Sequence, residues 1–559
     1  MNTTLHLEGI RDEIFPLLAQ IKILIVMDGR IGTAHYASFG PGDQGPRSDY
    51  FGLSEVISTL TGFPKTFSRF IVTKAHRDKD IREAADIEGF RFDQHNLSVY
   101  DEIWLIGLAT SFETDAPMTD SELAALTTFM DGGGGVFATG DHEDLGVALN
   151  GRVPRVRSMR KWFWPAPGPN GEPVAPESVG VDRHDTTQPG HNDNGPAGTV
   201  LFDDQSDDVP QPLTLRWYGK KTGIFSSAFY PHPLLCSPRG AISKFPDHMH
   251  EGEVIVPSDL SAKLTFGDKT FTEYPQNNAS QTGPEIVAWG EVLPEKNLPV
   301  GPHSSDADDI AVKRSFGVVG AYDGHRESIG RVCVDSTWHH FFDINLIGDP
   351  VAAPPKTLGF NASASGQAVL DDIRSYYRNI GTWLARPQSQ LRHFVAAAWF
   401  AATAQPLSMI VRGDHSYELR DLKRFGSLGL QSLYRLVPPC SVLVWFWPHF
   451  VEGPFPVVPP DPWAKPTPGD PVIVSAELFL AAALGGAVVE LVRERQTIAS
   501  AEGERGVEIA HLAVKKGIFE SQKLMAREIS SYGEGLVKFT EAAHERSFSG
   551  ESPQSGSTT

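Results

Sequence analysis

Two regimes of hydrophobic patterning divide the chain. Before about residue 350 the apolar residues come in short unbroken runs, and beyond 355 they recur at helical spacing. Ile23-Leu24-Ile25-Val26-Met27 is a β-rich run that stops at Asp28-Gly29. Ile103-Trp104-Leu105-Ile106 follows Asp101-Glu102 and stops at Gly107. Runs without polar alternation predict strands covered on both faces, as in parallel sheets. Thr119 precedes Glu122 by three, a capping box, and Leu123, Leu126 and Met130 put an apolar stripe on the helix it starts. Asp131 and four glycines end that helix, and Val136-Phe137-Ala138 is the next strand. Strand, helix, strand with short joints predicts a parallel crossover. Gly317–Gly320 and Arg331–Asp335 are two more strands, a hairpin around Asp323-Gly324-His325.

The segment from about 165 to 305 is rich in Pro, Gly, Asn and Asp, and is read as a loop-rich insertion over the sheet. Ala353-Pro354-Pro355 is the joint that closes the α/β part. Helical patterns follow over Gln367–Leu384, Gln390–Ala404, Tyr417–Tyr434, Val474–Arg495 and Gly506–His544, broken by the proline-rich stretch Val437–Pro471 with Trp445, Phe446, Trp447, Phe450 and Trp463. The expected organisation is an α/β domain over 1–355, an α-helical domain over 356–546 and a Ser/Gly-rich disordered tail over 547–559.

Composition narrows the partners. The formal charge of -20 argues against nucleic acid or an anionic membrane surface. Residues 471–489, PVIVSAELFLAAALGGAVV, approach the length of a membrane span, but Glu477 inside them favours a buried helix of the helical domain. Cys236, Cys333 and Cys440 are few and odd in number, which predicts no disulfide framework and a reducing compartment; Cys236 and Cys333 are read as small buried hydrophobes. The N-terminus carries no signal-peptide pattern, so the expected location is cytoplasmic.

The segment Val99–Gly146, VYDEIWLIGLATSFETDAPMTDSELAALTTFMDGGGGVFATGDHEDLG, resembles the core of the class I glutamine amidotransferase-like superfamily, in particular its trehalose-utilisation (ThuA-like) branch. His232-Pro233-Leu234 followed by Phe245-Pro246-Asp247-His248-Met249-His250-Glu251, and the closing strand into Asp335-Ser336-Thr337-Trp338-His339-His340, echo the same branch. The resemblance covers residues 20–350 in patches and implies a flavodoxin-like parallel sheet with its site at the carboxyl ends of the strands. Amidotransferases carry a cysteine nucleophile on the strand-to-helix turn; the corresponding turn here is Gly140-Asp141-His142-Glu143, without cysteine. Thiolate-dependent glutamine hydrolysis is therefore not expected.

Histidine marks the candidate chemistry. Fourteen of the 19 histidines fall within residues 1–350, many beside acids. Asp141, His142 and Glu143 are the candidate catalytic groups, acting as acid and base. His248 and His250, two apart on one face of an extended segment, form with Glu251 and His339 the candidate ligand set for a divalent metal, zinc, iron or manganese. Asp28, His184 and Asp335 are candidate substrate contacts, Asp28 and Asp335 each following a strand. The competing reading has these residues hydrogen-bonding loop backbone. Arg152, Arg155, Arg157, Arg160 and Lys161, next to Trp162 and Trp164, are read as a solvated face or, alternatively, a grip for an anionic substrate or sugar. The function that emerges is a hydrolase-like enzyme on a small polar or carbohydrate-type substrate, with or without metal assistance. The alternative is a catalytically silent amidotransferase-like sensor or scaffold, its C-terminal helices serving as an oligomerisation or effector module.

Overall fold

The apolar run at 23–27 lies within strand β1 (Ala19–Met27), an inner strand of the main sheet. The computed structural model of the chain describes residues 15–31, 35–36, 52–62, 67–79, 85–109, 117–140, 145–161, 210–221, 227–246, 253–278, 281–292, 314–348, 357–446, 463, 476–501 and 503–548. The sheet continues with β2 (Ser68–His76), β3 (Ile87–Glu88), β4 (Glu102–Ile106), β5 (Gly135–Thr139), β6 (Thr214–Leu215), β7 (Glu285–Val292), β8 (Arg314–Tyr322) and β9 (Val332–Asp335). Their spatial order is β6-β7-β8-β9-β5-β4-β1-β2-β3. From β9 to β3 all neighbours are parallel. β8, β7 and β6 extend the sheet antiparallel, with β8 and β9 forming the hairpin expected around Asp323. The protein is thus mixed α/β with a large, mostly parallel central sheet and a helical C-terminal region.

Strand alternation sorts the side chains onto two faces. Ile21, Ile23, Ile25 and Met27 join Trp104, Ile106, Phe137 and Cys333 in one apolar cluster, while Leu24 and Val26 join Ile103, Leu105, Val136, Ala138, Val332 and Val334 in the other. Helix α1 (Ser54–Thr61) packs on the first face and α2 (Asp120–Asp131) on the second. The capping box of α2 is present, with Glu122 accepting from the Thr119 backbone N–H at 3.1 Å. Glu122 is also bonded, fully buried, to Arg77 at the end of β2.

The first face is closed by helices from beyond the proline joint. α3 (Ala364–Leu384) and α4 (Pro387–Thr403) lie on the sheet and belong to the same cluster as β1. α4 is apolar nearly all round, as a helix must be that has neighbours on every side. Against it pack α5 (Leu419–Leu433), α6 (Pro439–Phe446), α7 (Ala476–Ser500) and α8 (Glu504–Phe548). The boundary near 355 therefore separates two patterns of sequence but not two hydrophobic cores. α6 falls in the stretch read as a helix break: Pro439 occupies its first position, where a proline costs no hydrogen bond, and Trp445 stacks on His393.

Two sequence expectations are corrected. Cys236 and Cys440 form a disulfide across 204 residues, so Cys236 is no free hydrophobe and the cysteine content does not argue for a reducing compartment. Their pairing was hidden because only folding brings the β-rich region against α6. Cys333 is free and buried in β9, as expected. The arginines of the basic run are engaged by the chain's own groups. Arg155 and Arg160 are fully buried, Arg155 reaches Asp131 and Glu273, Arg157 pairs with Glu273, and Arg152 pairs with Asp120. Among the described residues, no helix is long and apolar enough to cross a membrane. Residues 480–489, from the stretch that approached that length, are buried inside α7.

Candidate functional site

In open α/β sheets, ligands bind beyond the carboxyl ends of the strands, at the point where the strand order reverses. Here β1 lies between the second strand, β2, and the later strand β4, so the reversal falls between β1 and β4. Asp28 follows β1 at that point. Its Oδ1 accepts from the backbone N–H groups of Leu108 (2.8 Å) and Ala109 (3.1 Å), which follow β4. Its Oδ2 is buried with no hydrogen-bond partner, and the residue is 1% exposed. Burial pushes the carboxyl up to about 6; the two backbone bonds and the charge of Arg77 oppose the shift without cancelling it.

The turn after β1 is tight. Gly29 has φ +69°, and a Cβ there would stand 2.6 Å from the Ala109 backbone nitrogen. Its N–H donates to Asp78 Oδ2 at 2.9 Å. On β2, His76 accepts the Asp78 backbone N–H on Nδ1 at 3.0 Å, which assigns its proton to Nε2. That Nε2 is buried without a partner, and burial lowers the imidazole to about 4, so it is neutral at physiological pH. Arg77 and Glu122 form the adjacent ion pair, and the bond and charge of Arg77 outweigh burial to hold Glu122 below the usual carboxylate range.

The same edge continues toward β9. Asn150 donates to the Thr139 carbonyl at 2.8 Å while its own Oδ1 is buried and unpartnered. Arg160, buried, donates to the Ser336 carbonyl at 2.8 Å, and the Ser336 hydroxyl is buried without a partner. Orphaned polar atoms of Asp28, His76, Asn150 and Ser336 thus mark one edge of the sheet. An unpaired buried polar group costs about 1–3 kcal/mol, which a fold tolerates where a ligand or water completes the bond.

The residues expected from sequence are distributed unevenly. Asp28 stands at the strand reversal. Asp335 ends β9, but its Oδ2 is already taken by His340 Nε2 (2.9 Å) and the Tyr376 hydroxyl of α3 (2.8 Å), all three fully buried. Asp335 is therefore tied into the core rather than open to substrate. His339 stacks on Trp338 and is 7% exposed. Asp141, His142, Glu143, His184, His248, His250 and Glu251 lie outside the described residues. Among the described residues, no group of three or more His, Cys, Asp and Glu is placed to hold a metal.

His76, Arg77, Asp78 and Asn150 escaped the sequence reading. β2, SRFIVTKAH, is interrupted by Arg69, Thr73 and Lys74 and never forms an unbroken run. Its polar finish in His76-Arg77-Asp78 after a β-branched core was the available signal.

No family model matches the chain, and no curated protein matches it. Among solved structures, a cytoplasmic protein of Salmonella typhimurium is similar at 10% identity over 66% of this chain and 100% of its own, with a TM-score of 0.22, a level from which neither fold nor function carries over.

Proposed function

We propose that this chain is a hydrolase-like enzyme of flavodoxin-like architecture, related to the class I glutamine amidotransferase-like superfamily, acting on a small polar or carbohydrate-type substrate. The observation that carries the reading is the unpartnered, buried Oδ2 of Asp28 at the strand reversal, on a carboxyl that titrates near 6. The order β2-β1-β4-β5-β9 of the parallel strands supports the flavodoxin-like description. Above pH about 6 the Asp28 carboxylate takes a proton from water, and the hydroxide equivalent adds to the electrophilic carbon of the substrate; Asp28 then returns the proton to the leaving group. The neutral His76 Nε2–H is a donor for binding the substrate beside β1. Metal assistance through His248, His250, Glu251 and His339 remains a separate proposal, and no step above uses it.

Chromogenic ester, amide and glycoside substrates test this reading. One class should be turned over, with a rate rising through pH about 6, and Asp28→Asn should lower kcat/KM by about 100-fold or more. No turnover of any class, or turnover indifferent to Asp28→Asn, would overturn it. The second reading, a silent scaffold, is favoured by the closed Asp335–His340–Tyr376 network, which commits one strand-end carboxylate to packing. Full inactivity with every substrate class would favour that reading.

A further inference from the structure

α7 and α8 form an antiparallel hairpin joined through residues 501–503, and a Cβ on Gly486 would stand 2.2 Å from the Gly517 carbonyl oxygen. Counting back from that crossing, Ala476, the first residue of α7, stands opposite about residue 527 of α8. α8 therefore extends about twenty residues, roughly 30 Å of helix, beyond the described end of α7. Every described side chain from Ser530 to Ala542 is exposed.

The exposed end keeps a specific pattern. Ile518, Met525, Tyr532 and Phe539 recur every seven residues, and Ile529 and Leu536 fall between them at alternating steps of four and three. That is the repeat of a helix seam that another helix covers. Ile518 and Met525 are 4% and 3% exposed, buried within the chain's own bundle. Further along the same stripe Tyr532, Leu536 and Phe539 are 73%, 68% and 72% exposed, with Val537 beside them at 57%. Gly533 and Gly535 weaken an isolated helix, so this end needs support that packing among the described residues does not give it.

We propose that the stripe Tyr532–Leu536–Phe539 pairs antiparallel with the same stripe of a second copy across a twofold axis, making the protein a dimer through α8. This inference is independent of any catalytic reading. Burying these three side chains together with Val537 removes on the order of 500 Å² of apolar surface per copy, given 150–250 Å² for a whole aromatic side chain. A twofold axis doubles that to roughly 1,000 Å², the size at which specific interfaces begin. Isologous pairing needs only a self-complementary patch, which an apolar stripe on one helix is. A lipid surface fits less well, because Glu528, Glu534, Lys538 and Glu541 mix signs along the helix and offer no basic face.

Sedimentation equilibrium of the full chain, from low to tens of micromolar, tests the proposal. The expected mass is twice the 61.0 kDa of one chain, with helical circular dichroism falling as dilution dissociates the dimer. The double variant Leu536→Asp, Phe539→Asp should run as a monomer with near-ultraviolet dichroism unchanged. Leu512→Asp, exposed on α8 but off the stripe, should remain dimeric. A wild-type monomer throughout, a double variant that still dimerises, or dissociation by Leu512→Asp equally would each overturn it.

Discussion

Asp28 lowers the stability of the fold in the same ionised state that the proposed hydrolysis needs as a base. Its carboxyl titrates at about 6 in the folded chain against 3.8 when unperturbed, with burial as the main cause. Between those values the folded chain binds the extra proton, so stability falls as pH rises from about 4 to 6. Above that window the ionised group costs up to about 3 kcal/mol. Asn keeps the acceptor for Leu108 and Ala109 and removes the charge. Asp28→Asn should therefore be more stable than wild type above pH about 7, and the difference should vanish as pH approaches 4. Urea titrations at the two ends of that range check the sign; a less stable variant at high pH would mean that Asp28 serves structure. Asp335 shows the opposite placement, its acceptor atom filled by His340 and Tyr376. Sequence placed both aspartates after strands and could not tell them apart, because the difference lies in which distant residues arrive beside them.

At the scale of elements, local signals were legible and remote ones were not. The box Thr119–Glu122 starts α2 where the sequence put it, since both partners lie within one turn. α1 has no side-chain cap from its own flank; Asp343, nearly three hundred residues away, accepts from the Ser54 and Glu55 backbone N–H groups at 3.0 Å each. No local pattern encodes that. The α7–α8 seam depends likewise on a glycine from each helix. Gly486→Ala must push the Gly517 backbone aside, and we expect a loss of about 1–3 kcal/mol, typical of overpacking. A melting temperature unchanged by that substitution would show that the seam yields.

Across the whole molecule, one apolar cluster joins β1, α3, α4 and the bundle, and the Cys236–Cys440 disulfide ties the β-rich region to α6. A chain ending at residue 356 leaves Ile21, Ile23, Ile25 and Phe137 without α3 and α4 over them. It should aggregate on expression, whereas the full chain should stay in solution; recovery of the short chain as a soluble, cooperatively melting species would show that the sheet stands alone. Residue 355 looked like a domain boundary because prolines and a change of period coincide there. Periodicity reports which face of an element is apolar, but it does not say which surface covers that face.

What the sequence by itself determined is the set of elements whose causes are local: the strands at 23–27, 103–106 and 136–138, the capped helix between the last two, and the helical C-terminal region. Unbroken apolar runs, a capping box and a period near 3.6 act over a few residues, and each can be read from its own segment. Only the tertiary structure decided that Asp28 is buried with a free oxygen at the strand reversal, that Asp335 is closed off by α3, that the arginines after residue 150 are held by acids and carbonyls of the chain itself, and that two cysteines meet. These depend on desolvation and on contacts between residues tens to hundreds of positions apart, and neither is a property of any segment alone.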